Sequence, residues 1–330
     1  MSLEVKTIQK NEDGSDKLGN YFYRLIKKFL PGGLRGNAEL VGLKETFKLV
    51  FGTALGYRRT ILWFLRNRKF SALFNFFYVK ALVPVGEGAG AGLYFIIGPI
   101  IRKFPNLAPY PRYVEIEMTT ICNKKCVLCE HTYWKDQEEK HLSFDEFEHI
   151  INEFPKLKWV NLTGEGDAFL NPDYLEMIRY LKSKNVPVFL VDSFDLIDNE
   201  TAKELVKMGV DGIYVSMDGA TSATYNRIKA GCDFDRSIDH IKNLIELKKE
   251  YKSPIPELCF RYVITTLNVD ETPKFIDVIS SLGNKKELGD GSRVEFCGLL
   301  EFDQIKRFKV PKVPERIFQA TIEKAKEQNV

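Results

Sequence analysis

Nowhere does the chain offer the roughly 18–20 consecutive apolar residues of a membrane-spanning helix. The nearest run, AGAGLYFIIGPII at 89–101, is short and carries three glycines and a proline, which suits an interface or a packed position rather than a span. Histidine is scarce. The four, at 131, 141, 149 and 240, show neither metal-site nor triad spacing. Gly86, Gly88, Gly90 and Gly92 neither follow a strand pattern nor open a helix, which excludes a dinucleotide-binding loop. The first residues, MSLEVKTIQKNEDGSDK, are polar and lack the apolar stretch of a secretory leader, so a cytoplasmic, reducing location is expected.

Acidic residues are sparse in one region only. Residues 21–110 hold 14 Lys and Arg against three Asp and Glu, whereas 111–330 hold 31 against 38, a split hidden by the net charge of +3. Regions of opposite sign have different surroundings. Residues 1–20 read as a polar tail. Phe22, Leu25, Ile26, Phe29 and Leu30 recur at helical spacing until Pro31-Gly32-Gly33 stops the pattern. A second helical stretch over about 44–80 is rich in Phe and Arg, and the Gly- and Pro-rich 84–110 leads through PNLAPYPRY as a linker. Basic, Phe-rich amphipathic helices favour the headgroup boundary of an anionic membrane. Residues 21–110 are therefore expected to form a basic helical extension able to sit peripherally on a membrane. The alternatives are a helical cap or partner-binding arm, or a surface for RNA; no DNA partner is expected.

From 111 onward, short β-branched or aromatic runs alternate with helical ones. Strands are expected at 113–119, 158–163, 187–192, 212–217, 258–265 and 293–299. Helices are expected near 144–154, 173–184, 198–208, 234–250, 271–282 and 314–328. Six βα units imply a parallel sheet with crossover helices and are too few for a closed eight-fold barrel. The reading is an α/β core domain over 111–330, either an open (β/α)6 partial TIM barrel or a doubly wound sheet. In both, chemistry gathers at the C-terminal ends of the strands.

Six cysteines are present, and Cys122, Cys126 and Cys129 fall within eight residues directly after the first expected strand. A disulfide framework would be spread more evenly through a small secreted chain. Three thiolates on one loop, spaced C-x3-C-x2-C, can hold three corners of an iron–sulfur cubane and leave one iron open. Lys124 and Lys125 lie inside the loop, where positive charge favours thiolate. A zinc site with His131 as fourth ligand is the alternative, and a non-enzymatic iron–sulfur or zinc protein goes with it. Cys232, Cys259 and Cys297 are scattered and are assigned packing roles.

The C-x3-C-x2-C spacing after the first strand of a βα repeat resembles the radical S-adenosylmethionine (SAM) superfamily. Leu128 stands where many members carry an aromatic residue and still supplies apolar cover. Gly164-Glu165-Gly166 resembles the turn that meets the SAM amino group, with Gly166 where proline is common. Ser216-Met217-Asp218-Gly219 resembles the Ser-x-Asp-Gly stretch beside SAM, with Arg227 downstream as a partner for the methionine carboxylate. Val191-Asp192-Ser193-Phe194 departs from the usual Thr-Asn-Gly, although Ser193 can still contact SAM. The resemblance implies a [4Fe–4S] cluster on Cys122, Cys126 and Cys129. It also implies an electron donor such as a ferredoxin or flavodoxin, and reductive cleavage of SAM to methionine and a 5′-deoxyadenosyl radical that abstracts hydrogen. With the basic extension it points to a membrane lipid or isoprenoid substrate; a peptide or protein maturase is the alternative. Many relatives continue into a cysteine-rich C-terminal domain with auxiliary clusters; the expectation is that this chain either lacks that domain or is a shortened form.

Overall fold

The computed structural model describes residues 51, 52, 54–82 and 111–328. The expected polar tail, the helix at 21–30 with its stop, the apolar run at 89–101 and most of the linker lie outside them. The chain divides into two compact units, and the one comprising 53–79 and 109–330 holds the sheet.

Six strands, β1 (Tyr113–Ile116), β2 (Trp159–Leu162), β3 (Val188–Asp192), β4 (Gly212–Ser216), β5 (Glu257–Ile264) and β6 (Arg293–Gly298), form one sheet in chain order. Every neighbouring pair is parallel. β1 and β6 are its edges, so the barrel is open. Side chains alternate along each strand. Val160, Leu162, Val188, Leu190, Ile213, Val215, Leu258 and Phe260 point to one face and are buried in the main core. The helices that cover them are α3 (Phe144–Asn152), α4 (Tyr174–Ser183), α5 (Asn199–Met208), α7 (Phe234–Glu250) and α8 (Thr272–Leu282). Their own apolar stripes, such as Met177, Ile178 and Leu181 on α4, face the same core. Glu115, Asn161, Tyr214, Arg261 and Glu295 take the opposite, concave face.

Each strand is within a few residues of its expected limits. β1 is the most shortened, because beyond Ile116 its backbone leaves the sheet to pair with a later loop: Leu142 N donates to Met118 O and Thr120 N to Lys140 O, both at 3.0 Å. Two short helices escape the pattern, α6 (Ser222–Ile228) and α9 (Lys285–Leu288). Local chemistry sets helix ends. Ser143 and Glu146 form a capping box on α3, Asp198 and Asp233 cap α5 and α7, and Gly209 closes α5 at φ 74°. A final helix, α10 (Glu315–Gln328), packs on α8, where Thr272 and Thr321 share a buried hydrogen bond of 2.9 Å.

Two helices from the basic stretch, α1 (Arg58–Arg66) and α2 (Phe70–Phe77), close the N-terminal mouth of the barrel. Their contacts fall on the residues that precede each strand. Arg112 Nη1 donates to Tyr78 Oη (2.8 Å) just after α2, and Lys158 donates to Asn75 (3.2 Å). Asn75 in turn donates to Asn185 O (2.9 Å), and the Trp63 ring lies against Gly209. Ile255 joins Phe64, Ala72 and Phe76 in a second core, and Asp290 accepts from Arg59 (2.7 Å) and from the Thr60 amide (3.0 Å). The opposite side of the pair leaves Leu55, Leu62, Leu65, Phe70 and Phe74 exposed. Among the described residues no helix is long and apolar enough to cross a membrane.

Candidate active site at the C-terminal mouth

The loop that leaves β1 carries Cys122, Cys126 and Cys129, all half-buried and all free thiols. Its shape is fixed from within and from outside. Cys129 N donates to Cys126 O (3.2 Å), Thr132 Oγ1 to Cys126 O (2.7 Å) and Tyr133 Oη to Val127 O (2.9 Å). Lys125 N and Val127 N donate to Ala230 O and Ile228 O, both at 2.7 Å, which straps the loop to the segment after α6. Leu128, half-buried between two of the cysteines, supplies apolar cover.

Lysine charge within the loop is spent differently from the sequence expectation. Lys124 is buried and pairs with Asp167, with Asp195 Oδ2 at 3.8 Å. Burial pushes the Cys122 thiol up, and the nearby Lys124 charge only partly offsets this. Cys126 behaves oppositely: a hydrogen bond from Cys232 lowers it against the effect of burial, helped by the Lys229 charge. Burial and the neighbouring Glu165 push Cys129 up to about 12; its Sγ lies 3.0 Å from Glu165 Oε2.

After β2 the Gly164-Glu165-Gly166 turn folds back on the end of β1. Glu117 accepts from the amides of Glu165 (2.6 Å) and Gly166 (3.3 Å). A Cβ on Gly166 would overlap the Thr119 carbonyl oxygen, so the proline common at this point in the family has no room here. Glu115, Glu117, Thr163, Gly164 and Glu165 line an open cleft of 370 Å³. After β3, Phe194 is fully buried and adopts φ 63°. Burial, then the Asp167 charge, push Asp192 up to about 8.

The fourth strand delivers Ser216 and Asp218 together, but not with Arg227. Lys229 joins them: its Nζ donates to Ser216 Oγ (2.8 Å) and lies 3.0 Å from Asp218 Oδ2. Burial opposes the Lys229 charge, and Asp218 outweighs it, so the ammonium is held well above the usual lysine range. Arg227 is exposed and donates to Leu267 O (2.8 Å). Ser193 Oγ is 3.7 Å from Cys232 Sγ. Supporting bonds fix the surrounding loops. Asn268 donates to Asp218 O (3.0 Å) and Val263 O (2.9 Å), and Glu271 accepts from Ala220 N (2.8 Å) and Thr224 Oγ1 (2.6 Å).

Glu117, Lys229 and Cys232 are the contributors that sequence reading missed. Glu117 had a signal, since Glu115-x-Glu117 at a strand end places both carboxylates on one face. Lys229 and Cys232 had none, because only the packing of α6 against the cysteine loop brings them in.

The donor set fits an iron–sulfur cluster: three free thiols on one short, braced loop, with no fourth cysteine on it. Among the described residues no three His, Cys, Asp or Glu side chains converge as a single metal ion requires. His131, the fourth ligand in the zinc alternative, bonds the Thr120 carbonyl oxygen through Nε2 at 2.8 Å, while its Nδ1 is buried without a partner.

Comparison with known proteins agrees with this geometry. The pattern of the Radical SAM superfamily matches residues 116–279. A tungsten-containing aldehyde ferredoxin oxidoreductase cofactor-modifying protein of Pyrococcus furiosus is 29% identical over 179 residues, 52% of this chain and 49% of that protein. Mycofactocin maturase MftC of Mycobacterium tuberculosis is 26% identical over 56% of this chain and 46% of its own. The chain thus spans about half the length of these curated relatives. Among solved structures, SuiB of Streptococcus suis bound to S-adenosylmethionine superposes with a TM-score of 0.54 at 14% identity, over 80% of this chain and 59% of SuiB; the likeness is one of fold. Residues 116–279 are a radical SAM domain, with the [4Fe–4S] cluster and SAM as the cofactors that go with it, and by that domain the chain belongs to the radical SAM superfamily.

Proposed function

We propose that Cys122, Cys126 and Cys129 hold a [4Fe–4S] cluster, that SAM binds beside it, and that the chain begins radical chemistry on a substrate within the barrel. The observation that carries this reading is the placing of three free thiols on the loop after β1, at the mouth where Ser216 ends β4 and Glu165, Ser193 and Asp218 follow the ends of β2, β3 and β4. When bound, the cluster and SAM supply one-electron cleavage of a sulfonium and hydrogen abstraction from an unactivated C–H bond. The protein's residues position and shield. Glu165 presents a carboxylate to an ammonium, and Gly164 and Gly166 keep the turn low enough for close approach. Lys229 anchors Ser216 and Asp218 so that both face the cavity, and Leu128 keeps water from the loop. Arg227 holds Leu267 O through Nη2 alone and keeps its other N–H donors for a ligand carboxylate. Radical SAM enzymes draw their electron from outside, generally from a ferredoxin or flavodoxin. Anaerobic reconstitution is expected to give bound iron and sulfide, a low-temperature spin signal on reduction, and SAM cleavage. Zinc in place of iron and sulfide would reject the reading.

For the substrate we favour a membrane lipid or isoprenoid chain, reached from a peripheral position. Support comes from the outer side of α1 and α2, where Leu55, Leu62, Leu65, Phe70 and Phe74 are exposed beside Arg58, Arg66 and Arg68. No acidic residue occurs from 46 to 86. Apolar side chains with flanking cations suit an anionic bilayer surface. The intact protein should float with anionic vesicles at low salt and not with neutral ones. If it stays in the aqueous fraction, the second reading gains, a peptide maturase, which the mycofactocin maturase among the relatives favours.

A further inference from the structure

Arg261 is a cation on the concave face of the sheet that the function above leaves unused. It stands on β5, level with Ser216 of β4 and Glu295 of β6. Its guanidinium lies over the Tyr214 ring, 3.9 Å from the centroid, and its Nε donates to Glu295 Oε2 at 2.9 Å. Glu295 is shared. Its Oε1 accepts from Arg293 Nε (2.7 Å) and pairs with Arg293 Nη2 (2.6 Å), while Arg293 Nη1 donates to Gly291 O (3.3 Å). On the β4 side, Asp218 already holds Lys229 and the Val263 amide. Two guanidiniums thus divide one carboxylate, and the two Nη groups of Arg261 bond nothing among the described residues.

Stability does not account for this arrangement. The Arg261 side chain is 39% exposed, and an ion pair at that exposure contributes little. What Tyr214 and Glu295 do is hold the guanidinium plane, so that its free edge can meet an oxyanion with little further loss of rotamer freedom. Towards the strand starts the concave face turns aromatic. Tyr214, Phe189, Trp159 and Tyr113 follow one another from β4 to β1, with ring centroids 6.4, 5.8 and 3.9 Å apart. Gly212 makes room for this row, since a Cβ there would come within 2.8 Å of the Phe189 ring. Tyr214 and Trp159 stay half-exposed, so a ligand can lie on them. A row of rings ending in a held guanidinium with free donors suits an apolar chain with an anionic end. We propose that Arg261 anchors the substrate by a phosphate or carboxylate group, with the apolar chain laid along the ring row. This deepens the lipid or isoprenoid reading above and rests on it.

The test measures, by calorimetry, binding of farnesyl phosphate, decanoate, farnesol and an acidic pentapeptide to the full chain, with iron and sulfide content recorded for each sample. Wild type should bind at least one of the two anionic chains about tenfold or more tightly than farnesol, as a charge-assisted pair implies. The tighter of the two tells phosphate from carboxylate. Arg261→Met should lose the preference, and Arg261→Lys, which keeps the charge without the planar fork, should keep part of it. SAM titrated into cluster-loaded samples should not follow this loss. Equal affinity for farnesol, or no binding of either anionic chain, overturns the inference. So does an undiminished preference in Arg261→Met, or in Arg261→Lys where the first variant does not fold. A matching loss of SAM overturns it by assigning Arg261 to the SAM site, and tighter binding of the pentapeptide overturns it in favour of a peptide substrate. Protein that floats with anionic vesicles yet shows no anionic preference overturns this inference alone. Protein without iron and sulfide that still holds an anionic chain through Arg261 overturns the cluster assignment and leaves the anchor standing.

Discussion

The N-terminal mouth of the barrel is closed by Phe64, Ala72, Phe76 and Ile255, with the buried Asp211 and Glu257 beside them at strand starts, whereas the C-terminal mouth is held by Lys124, Asp167, Asp192, Asp195, Asp218 and Lys229, all of them buried. The first arrangement is what stability alone would select: rings in edge contact, such as Tyr57 on Phe76 at 5.5 Å, over apolar residues. The second is costly, because each buried charge must recover its lost hydration from partners. A chain keeps such an arrangement where it has to hold loops in fixed positions around a ligand. Here the charges fix the cysteine loop, the Gly164–Gly166 turn and the end of β4 relative to one another.

That division predicts that substitutions at the two mouths fail in different ways. The largest effect is expected from Cys122→Ala, Cys126→Ala or Cys129→Ala. Each should abolish iron–sulfur loading and SAM cleavage while leaving the fold intact, since the cysteines are only half-buried and the loop keeps its backbone bonds. Full SAM cleavage by any of them would remove the proposed mechanism, and circular dichroism would show whether the fold is kept. Next comes Asp167→Ala, which removes the nearest carboxylate of the buried Lys124 ammonium, leaving it Asp195 Oδ2 at 3.8 Å and Asn123 Oδ1 at 3.1 Å, and frees the Phe169 amide. A loss of about 3–5 kcal/mol in urea unfolding is expected, as for one partner removed from a buried pair. A loss below about 1 kcal/mol would mean that the charges at this mouth are hydrated, and the contrast would fall.

At the other mouth, Phe76→Ala opens a cavity in the second core and should cost about 3 kcal/mol. Its distinguishing feature is what it spares. Iron and sulfide content per folded molecule should equal that of wild type, because no residue of the cysteine loop touches this core. Coupled loss of stability and cluster would show that the plug and the site act as one.

How much of this was legible in the sequence differs in the same way between regions. The repeat of strands and helices was readable because alternation and helical spacing are local, and α7 agrees at both ends with its expected 234–250. The cysteine loop was readable because its spacing is local too. Lys229 was not, since its partners Ser216 and Asp218 lie across a turn that only the α6 fold closes. Nor could the sequence choose, for α1 and α2, between a membrane face and the helical cap it left open: Phe and Arg in a basic stretch look alike whether they face a bilayer or the loops preceding six strands. Asp290, which anchors α1, lies over 200 residues away from it in the chain.

The smallest predicted effect belongs to Lys248, beside the N-terminal mouth. Its ammonium donates to Pro256 O (2.7 Å) and Leu288 O (2.5 Å) with no carboxylate bonded to it, and burial pulls it down from the ordinary 10.5 to about 7. Between those values the unfolded chain binds the proton that the folded chain has released, so stability from this group rises with pH. Between pH 7 and 8 the gain is about 1 kcal/mol by the same linkage. Asp192, with its carboxyl pushed up to about 8, works in the opposite sense over the acid side: the folded state keeps a proton that the unfolded chain loses, and stability falls as pH rises from about 4 to 8. The difference in unfolding free energy between wild type and Lys248→Met cancels the Asp192 contribution, which both share. That difference should grow in favour of wild type from pH 7 to 8, and a flat difference would mean that the Lys248 ammonium stays charged in the fold. In that case a buried ammonium with no carboxylate bonded to it would stand beside the N-terminal mouth, where Lys182 and Asp211 already form a buried pair, and the contrast would rest on where charges hold loops together and no longer on burial of charge as such.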